Sequence, residues 1–265
     1  MKSAYTKWNY KMINTIAQKT LLLMLLLVTS LALVSCASNR SEEEIALGIN
    51  DPLEEYNRRT LMLNDIADRA ILEPVARGYR AVTIPAWRKV IANFLRNLTS
   101  PVVIGNELLQ GDFEGAGNAT ARVVINTLAG FGGILDLAAD GGIEHQPEDF
   151  GQTLAKWGMG DGMYIMIPLL GPSTLRDATG TLVDSYADPL RIYLFNIDEE
   201  HLHYARIGSG IVSKREQLIG VIDDLRKNSF DYYAAVRSAY YQNRRALIDD
   251  KKSSVSADIP EYDDF

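Results

Sequence analysis

Cysteine and histidine are nearly missing from this chain. Cys36 is the single thiol in 265 residues, and His145, His201 and His203 are the only imidazoles. A lone cysteine excludes a disulfide framework in an exported protein. The histidines make a poor metal set, because His201 and His203, two apart on a predicted helix, point to different faces. No apolar run reaches the ~20 residues that cross a bilayer. Positive charge is also short, with 27 Lys+Arg against 34 Asp+Glu and a formal charge of −7. An acidic chain without a basic patch excludes nucleic acid as a partner. It equally excludes docking on anionic headgroups by charge alone, so any membrane contact of the chain body must be apolar.

Catalytic motifs are absent in turn. Gly171-Pro172-Ser173 lacks the flanks of a nucleophile elbow. The glycines at 158, 160 and 162 follow a predicted helix and lack dinucleotide-binding spacing. Asp112 with Glu114, and Glu148 with Asp149, read as helix N-terminal charges rather than catalytic dyads. The expectation is therefore a protein that is no enzyme and holds no metal and no cofactor.

What is present begins at the N-terminus. Lys2, Lys7, Lys11 and Lys19 precede an apolar run from Leu21 to Val34, and no acidic residue occurs before Glu42. That order is the pattern of a secretory signal. The run ends in Leu33-Val34-Ser35-Cys36, which resembles a lipobox, with cleavage before Cys36 and lipid on its thiol. Acylation accounts for a single cysteine at this place, and two or more acyl chains anchor a protein stably where one does not. Ala37 after the cysteine resembles the signal for sorting onward to the outer membrane. Removing 1–35, with its four lysines, takes the charge from −7 to −11.

The mature chain reads as a polar, lipidated tether (36–50), one helical domain (51–250) and a disordered acidic tail (251–265). Asp51 is placed to cap a first helix, with Pro52 in its first turn, and Pro74 is expected to end it. Ile84, Trp87, Val90, Ile91, Phe94, Leu95 and Leu98 form an apolar stripe opposite Arg88, Lys89, Asn93, Arg96 and Asn97. That helix either faces a core or lies along lipid with its basic residues snorkelling. A third helix from Phe113 to Leu128 is rich in small residues, which let backbones approach closely. Gly130-Phe131-Gly132-Gly133 and then Ile134, Leu135 and Leu137 form either a mobile hairpin or a plain connection. A short helix is expected over about 148–157. Thr174 with Asp177 resembles a capping box, and two long polar helices are expected over about 198–227 and 231–250. No run of alternating strands appears, so the fold class is all-α.

The motifs together are similar to one known family. Asp51-Pro52-Leu53-Glu54-Glu55-Tyr56-Asn57-Arg58 resembles the opening of the MlaA (VacJ) lipoproteins. Asn93 to Leu98 with Pro101, Leu109-Gln110-Gly111-Asp112, Arg122, Asn126-Thr127 and Gly130 to Gly133 follow in the family's order. Phe150 to Leu154, Trp157-Gly158, Gly160-Asp161-Gly162 and Asp188-Pro189 continue it. The most specific block is Pro168 to Asp177, with Gly171, Leu175, Arg176 and Asp177. The resemblance covers residues 51 to about 190 and, more loosely, extends to about 245.

The resemblance implies a ring of short amphipathic helices embedded in one membrane leaflet, with an amphipathic channel. It implies removal of mislocalised phospholipids from the outer leaflet of the outer membrane to a periplasmic phospholipid-carrier protein, beside a trimeric porin. It implies neither reaction nor cofactor. A scaffold lipoprotein that binds porin without moving lipid is the alternative. The physics suits a conduit, since roughly 30 methylenes at about 0.8 kcal/mol each oppose passage of a phospholipid through water. The candidate gate is Phe131, Ile134, Leu135 and Leu137, with Gly130, Gly132 and Gly133 either hinges or close-packing positions.

Overall fold

The computed structural model describes residues 48–249, so the signal, Cys36, most of the tether and the acidic tail lie outside the described residues. Eleven α-helices and one β-hairpin make up the described residues. In chain order the helices are α1 (Glu54–Ala67), α2 (Glu73–Val82), α3 (Pro85–Gln110), α4 (Phe113–Leu128), α5 (Leu137–Asp140) and α6 (Phe150–Lys156). After strands β1 (Tyr164–Ile167) and β2 (Gly171–Thr174) come α7 (Leu175–Ala187), α8 (Pro189–Asn196), α9 (Glu200–Gln217), α10 (Ile219–Asn228) and α11 (Tyr232–Ile248). The class is all-α, as expected.

Caps set several boundaries. Asp112, Asp149, Thr174, Asp188 and Asp231 each accept from a backbone N–H in the first turn of the helix that follows. Each meets a donor that has no partner inside the helix. The Thr174 cap and the span of α4 match the sequence pattern. Two junctions do not. Asp51 caps nothing: it is buried, and its carboxylate accepts from the Tyr233 hydroxyl, from Arg237 Nη1 at 2.6 Å and from Asn57 Nδ2 at 2.8 Å. Pro74 ends nothing either. A π turn, Asp68–Leu72, joins α1 to α2, and Glu73 donates back to the Asp68 carbonyl five residues earlier. The wider turn gives the Pro74 ring room where an α-turn would drive it into the preceding carbonyl.

Three further differences concern short elements. The apolar stretch from Met163 to Leu170 becomes β1 and its turn, paired antiparallel with β2 in the register Tyr164 with Thr174 and Ile167 with Gly171. The helix expected over 198–227 breaks at Leu218 into α9 and α10, and α8 was not anticipated. A tyrosine cluster sits where β1 meets α11. Tyr164 lies 5.9 Å from both Tyr240 and Tyr241 and 6.2 Å from Tyr233, with Ile49 and Met166 beside them.

Candidate functional site

The distribution of polarity is inverted relative to a water-soluble helical protein. Asn57, Glu107, Arg122, Arg176, Arg215, Glu216 and Arg237 are buried, whereas Val82 is 83%, Leu128 81% and Leu169 79% exposed. Helix α3 shows the reason most directly. Asn93 is buried and the Arg88 side chain nearly so, while Trp87 is 61% exposed and Phe94 lies outside with it. Ile91, Leu95 and Leu98 are half-buried along the same helix. The apolar stripe therefore borders the outside, while Arg88, Asn93, Arg96 and Asn97 lie on the inward side and Lys89 is exposed. Helix α1 repeats the arrangement, with Tyr56, Leu63 and Ile66 exposed and Asn57 and Thr60 buried. An apolar surface spread over this many elements is stable only against another apolar phase or a partner. No helix among the described residues is long and apolar enough to cross a membrane.

A polar interior stands only if every charge finds a partner, because an unpaired buried charge costs several kcal/mol. The pairing here is dense. Asp68 accepts from Arg215 at 2.7 and 2.9 Å and from Arg226 at 2.6 Å, and Arg226 also reaches Asp65 and Glu73 at 2.7 Å. This cluster ties the π turn to α9 and α10. Arg122 on α4 holds Asp136 at 2.7 and 2.8 Å, and Asn126 adds a third donor at 2.8 Å. Arg244 on α11 joins Asp149 to Asp177, which also accepts from the Tyr240 hydroxyl. Burial alone would raise these carboxyls, but the guanidiniums hold Asp68, Asp136 and Asp149 below the ordinary carboxylate value.

The residues of the sequence motifs belong to this pairing. Asn57 donates to the Tyr164 carbonyl at 3.1 Å and accepts from the Met166 N–H at 2.8 Å. Asn64, two helical turns on, donates to the Ile167 carbonyl at 3.0 Å and accepts from the Leu169 N–H at 2.8 Å. The two amides of α1 thus bond β1 and the turn after it much as a third strand would. Arg58 grips Asp231 through both terminal nitrogens, at 3.0 and 2.6 Å. Arg176 bonds Asp161 at 2.6 Å and Asp177 at 2.9 Å, and Gly171 takes φ 91° at the hairpin. Pro52 is half-buried and Leu175 exposed. Asp68, Arg215, Arg226 and Asp136 were not singled out from sequence. The only signal they carry is a charge on a predicted helix, and that looks the same on a wet face.

The glycine-rich segment after α4 is a bonded turn. Gly132 and Gly133 donate to the carbonyls of Thr127 and Asn126 at 3.0 and 2.7 Å, and Asn97 of α3 donates to the Gly132 carbonyl at 3.2 Å. Gly130 lies against the Leu135 and Asn126 carbonyls and Gly133 against the Asn97 side chain, so neither has room for a Cβ, whereas Gly132 faces open space. Phe131, Ile134 and Leu135 are exposed at the tip, Phe131 at φ 55°, and Leu137 is half-buried. Among the described residues no group of three or more acidic, histidine or cysteine side chains could hold a metal ion.

The MlaA lipoprotein family model matches residues 49–247, nearly the whole of the described chain. The chain belongs to the MlaA lipoprotein family. It is similar to the intermembrane phospholipid transport system lipoprotein MlaA of Escherichia coli K12, at 34% identity over 218 residues, covering 79% of this chain and 82% of that one. The corresponding lipoprotein of Haemophilus influenzae is 31% identical over 241 residues, covering 88% and 93%. A solved structure described as the structural basis for maintenance of bacterial outer membrane lipid asymmetry superimposes with a TM-score of 0.66 at 33% identity. It covers 75% of this chain and 99% of that one.

Proposed function

We propose that this chain withdraws mislocalised phospholipids from the outer leaflet of the outer membrane and passes them to a periplasmic carrier protein. The observation that carries the reading is the inverted polarity: apolar side chains of α1 to α4 and the hairpin tip point outward, over an interior of paired charges. Such a body fits within one leaflet, with its helices ringing an amphipathic passage for headgroup and tails. Helix suits this setting because it satisfies its own backbone in lipid. Lipid on Cys36 would tether it, Phe131, Ile134 and Leu135 would meet lipid tails at the mouth of the passage, and a trimeric porin would hold it in place. The relatives named for phospholipid transport support the substrate class. No covalent step is assigned to it.

The test replaces outward residues with charge. Trp87→Glu with Phe94→Glu should preserve helix content but raise phospholipid at the cell surface, measured with a membrane-impermeant amine label. A charged side chain in hydrocarbon costs about 2.5–3.5 kcal/mol, so the pair should abolish function. Surface labelling equal to wild type in this variant would refute the embedding on which the reading rests.

A further inference from the structure

Most arginines described above end on carboxylates; Arg58, Arg122, Arg176, Arg215, Arg237 and Arg244 all sit in ion pairs. Arg191 on α8 does not. Its guanidinium carbon lies 4.7 Å from the ring centre of Tyr186 and 4.5 Å from that of Phe195. The neighbouring acid, Asp188, is taken by Arg206. A guanidinium laid on ring faces keeps its in-plane N–H groups for acceptors, and its planar fork matches a phosphate. Tyr186, which it touches, and Ile192, next to it on α8, are exposed, as are Leu182 of α7 and Tyr193 and Ile197 further along the chain. One buried polar atom in this corner has no hydrogen-bond partner. His203 of α9, 4% exposed, packs on Phe195 at 5.6 Å with its Nδ1 buried and unbonded.

We propose that Arg191 is a phosphate anchor, donating to the phosphodiester of a membrane phospholipid whose tails cover the exposed Tyr186 and Ile192 beside it. The proposal rests on the embedded reading above and adds a headgroup contact to it. Charge and setting select the occupant. A carboxylate from another protein would meet the guanidinium but leave the apolar surround bare. A phospholipid satisfies both at once, with the aromatic rings at the boundary between them. The same fork that makes arginine a bidentate phosphate donor makes lysine a weaker substitute.

The experiment uses the full lipidated chain in maltoside micelles. It is titrated separately with dioleoylphosphatidylglycerol, with phosphate-free dioleoylglycerol and with inorganic phosphate, and bound ligand is counted by native mass spectrometry. Wild type should prefer the phospholipid to the diacylglycerol. R191Q should bind the phospholipid about tenfold more weakly, as the loss of one charge-assisted hydrogen-bonding group implies, and should bind the diacylglycerol as before. R191K should fall between the two. Equal phospholipid binding by R191Q and wild type overturns the anchor. So does inorganic phosphate binding as tightly as the lipid, which marks a free-anion site. Wild type binding both lipids without preference overturns the anchor but leaves the embedded surface standing. Wild type binding neither lipid overturns both.

Discussion

At the residue scale, polar groups taken from water do the work that aliphatic side chains do elsewhere. His145 shows how this couples to pH. Burial, then the charges of Arg96 and Arg122, push its imidazole down to about 3. A folded-state value below the unfolded one means that the unfolded chain binds the extra proton. The stability this confers is complete above about pH 6.5 and is lost as pH falls toward 3. His145→Gln, which cannot take the proton, should flatten the dependence of the melting midpoint between pH 7 and pH 5 in detergent. A slope identical to wild type would show that His145 does not set it. The carboxyls of Asp68, Asp136 and Asp149 act in the same direction at lower pH, since each is depressed and must be protonated as the fold is lost in acid.

At the element scale, the turn between α4 and α5 separates two uses of glycine. Gly130→Ala places a methyl against two carbonyls and should cost about 2 kcal/mol by overpacking. Gly132→Ala meets open space and bears only the strain of φ 76°, about 1 kcal/mol. Thermal melts should rank them in that order; the reverse would mean that the turn is not held as described. Helix α4 and the Thr174 cap were legible in the sequence, because a capping side chain beside an apolar pattern is a local signal. The β-hairpin was not, since a short apolar run is shared by buried strands and helices. Pro74 misled because a π turn is set by packing rather than by residue type. For α3, helical period shows that Trp87 and Phe94 share a stripe, yet not which phase the stripe meets. Only the burial of Asn93 and Arg88 shows which side is interior. The family blocks, by contrast, pointed to the right fold through their order.

At the scale of the whole molecule, the proposed function calls for two attachments of different kind, a lipid at Cys36 and an apolar surface on the folded domain. Cys36→Ser should halt processing at the unlipidated precursor or shift the protein to the soluble fraction, as read by fractionation and mass. Unchanged mass and outer-membrane recovery would refute acylation at that position. The charged interior also has a thermodynamic signature. The buried hydrophobic set is small and includes Ala76, Ala116 and Ala138, while Arg122, Arg215 and Glu216 fill space that leucines would otherwise fill. Heat capacity rises when apolar surface becomes hydrated and falls when polar surface does, with ordinary domains near 12–15 cal/mol/K per residue. In a micelle, where the greasy exterior stays covered in both states, this protein should fall well below that figure. Its stability should then change little from cold to warm, as a component seated in a bilayer that softens and stiffens with the weather would require.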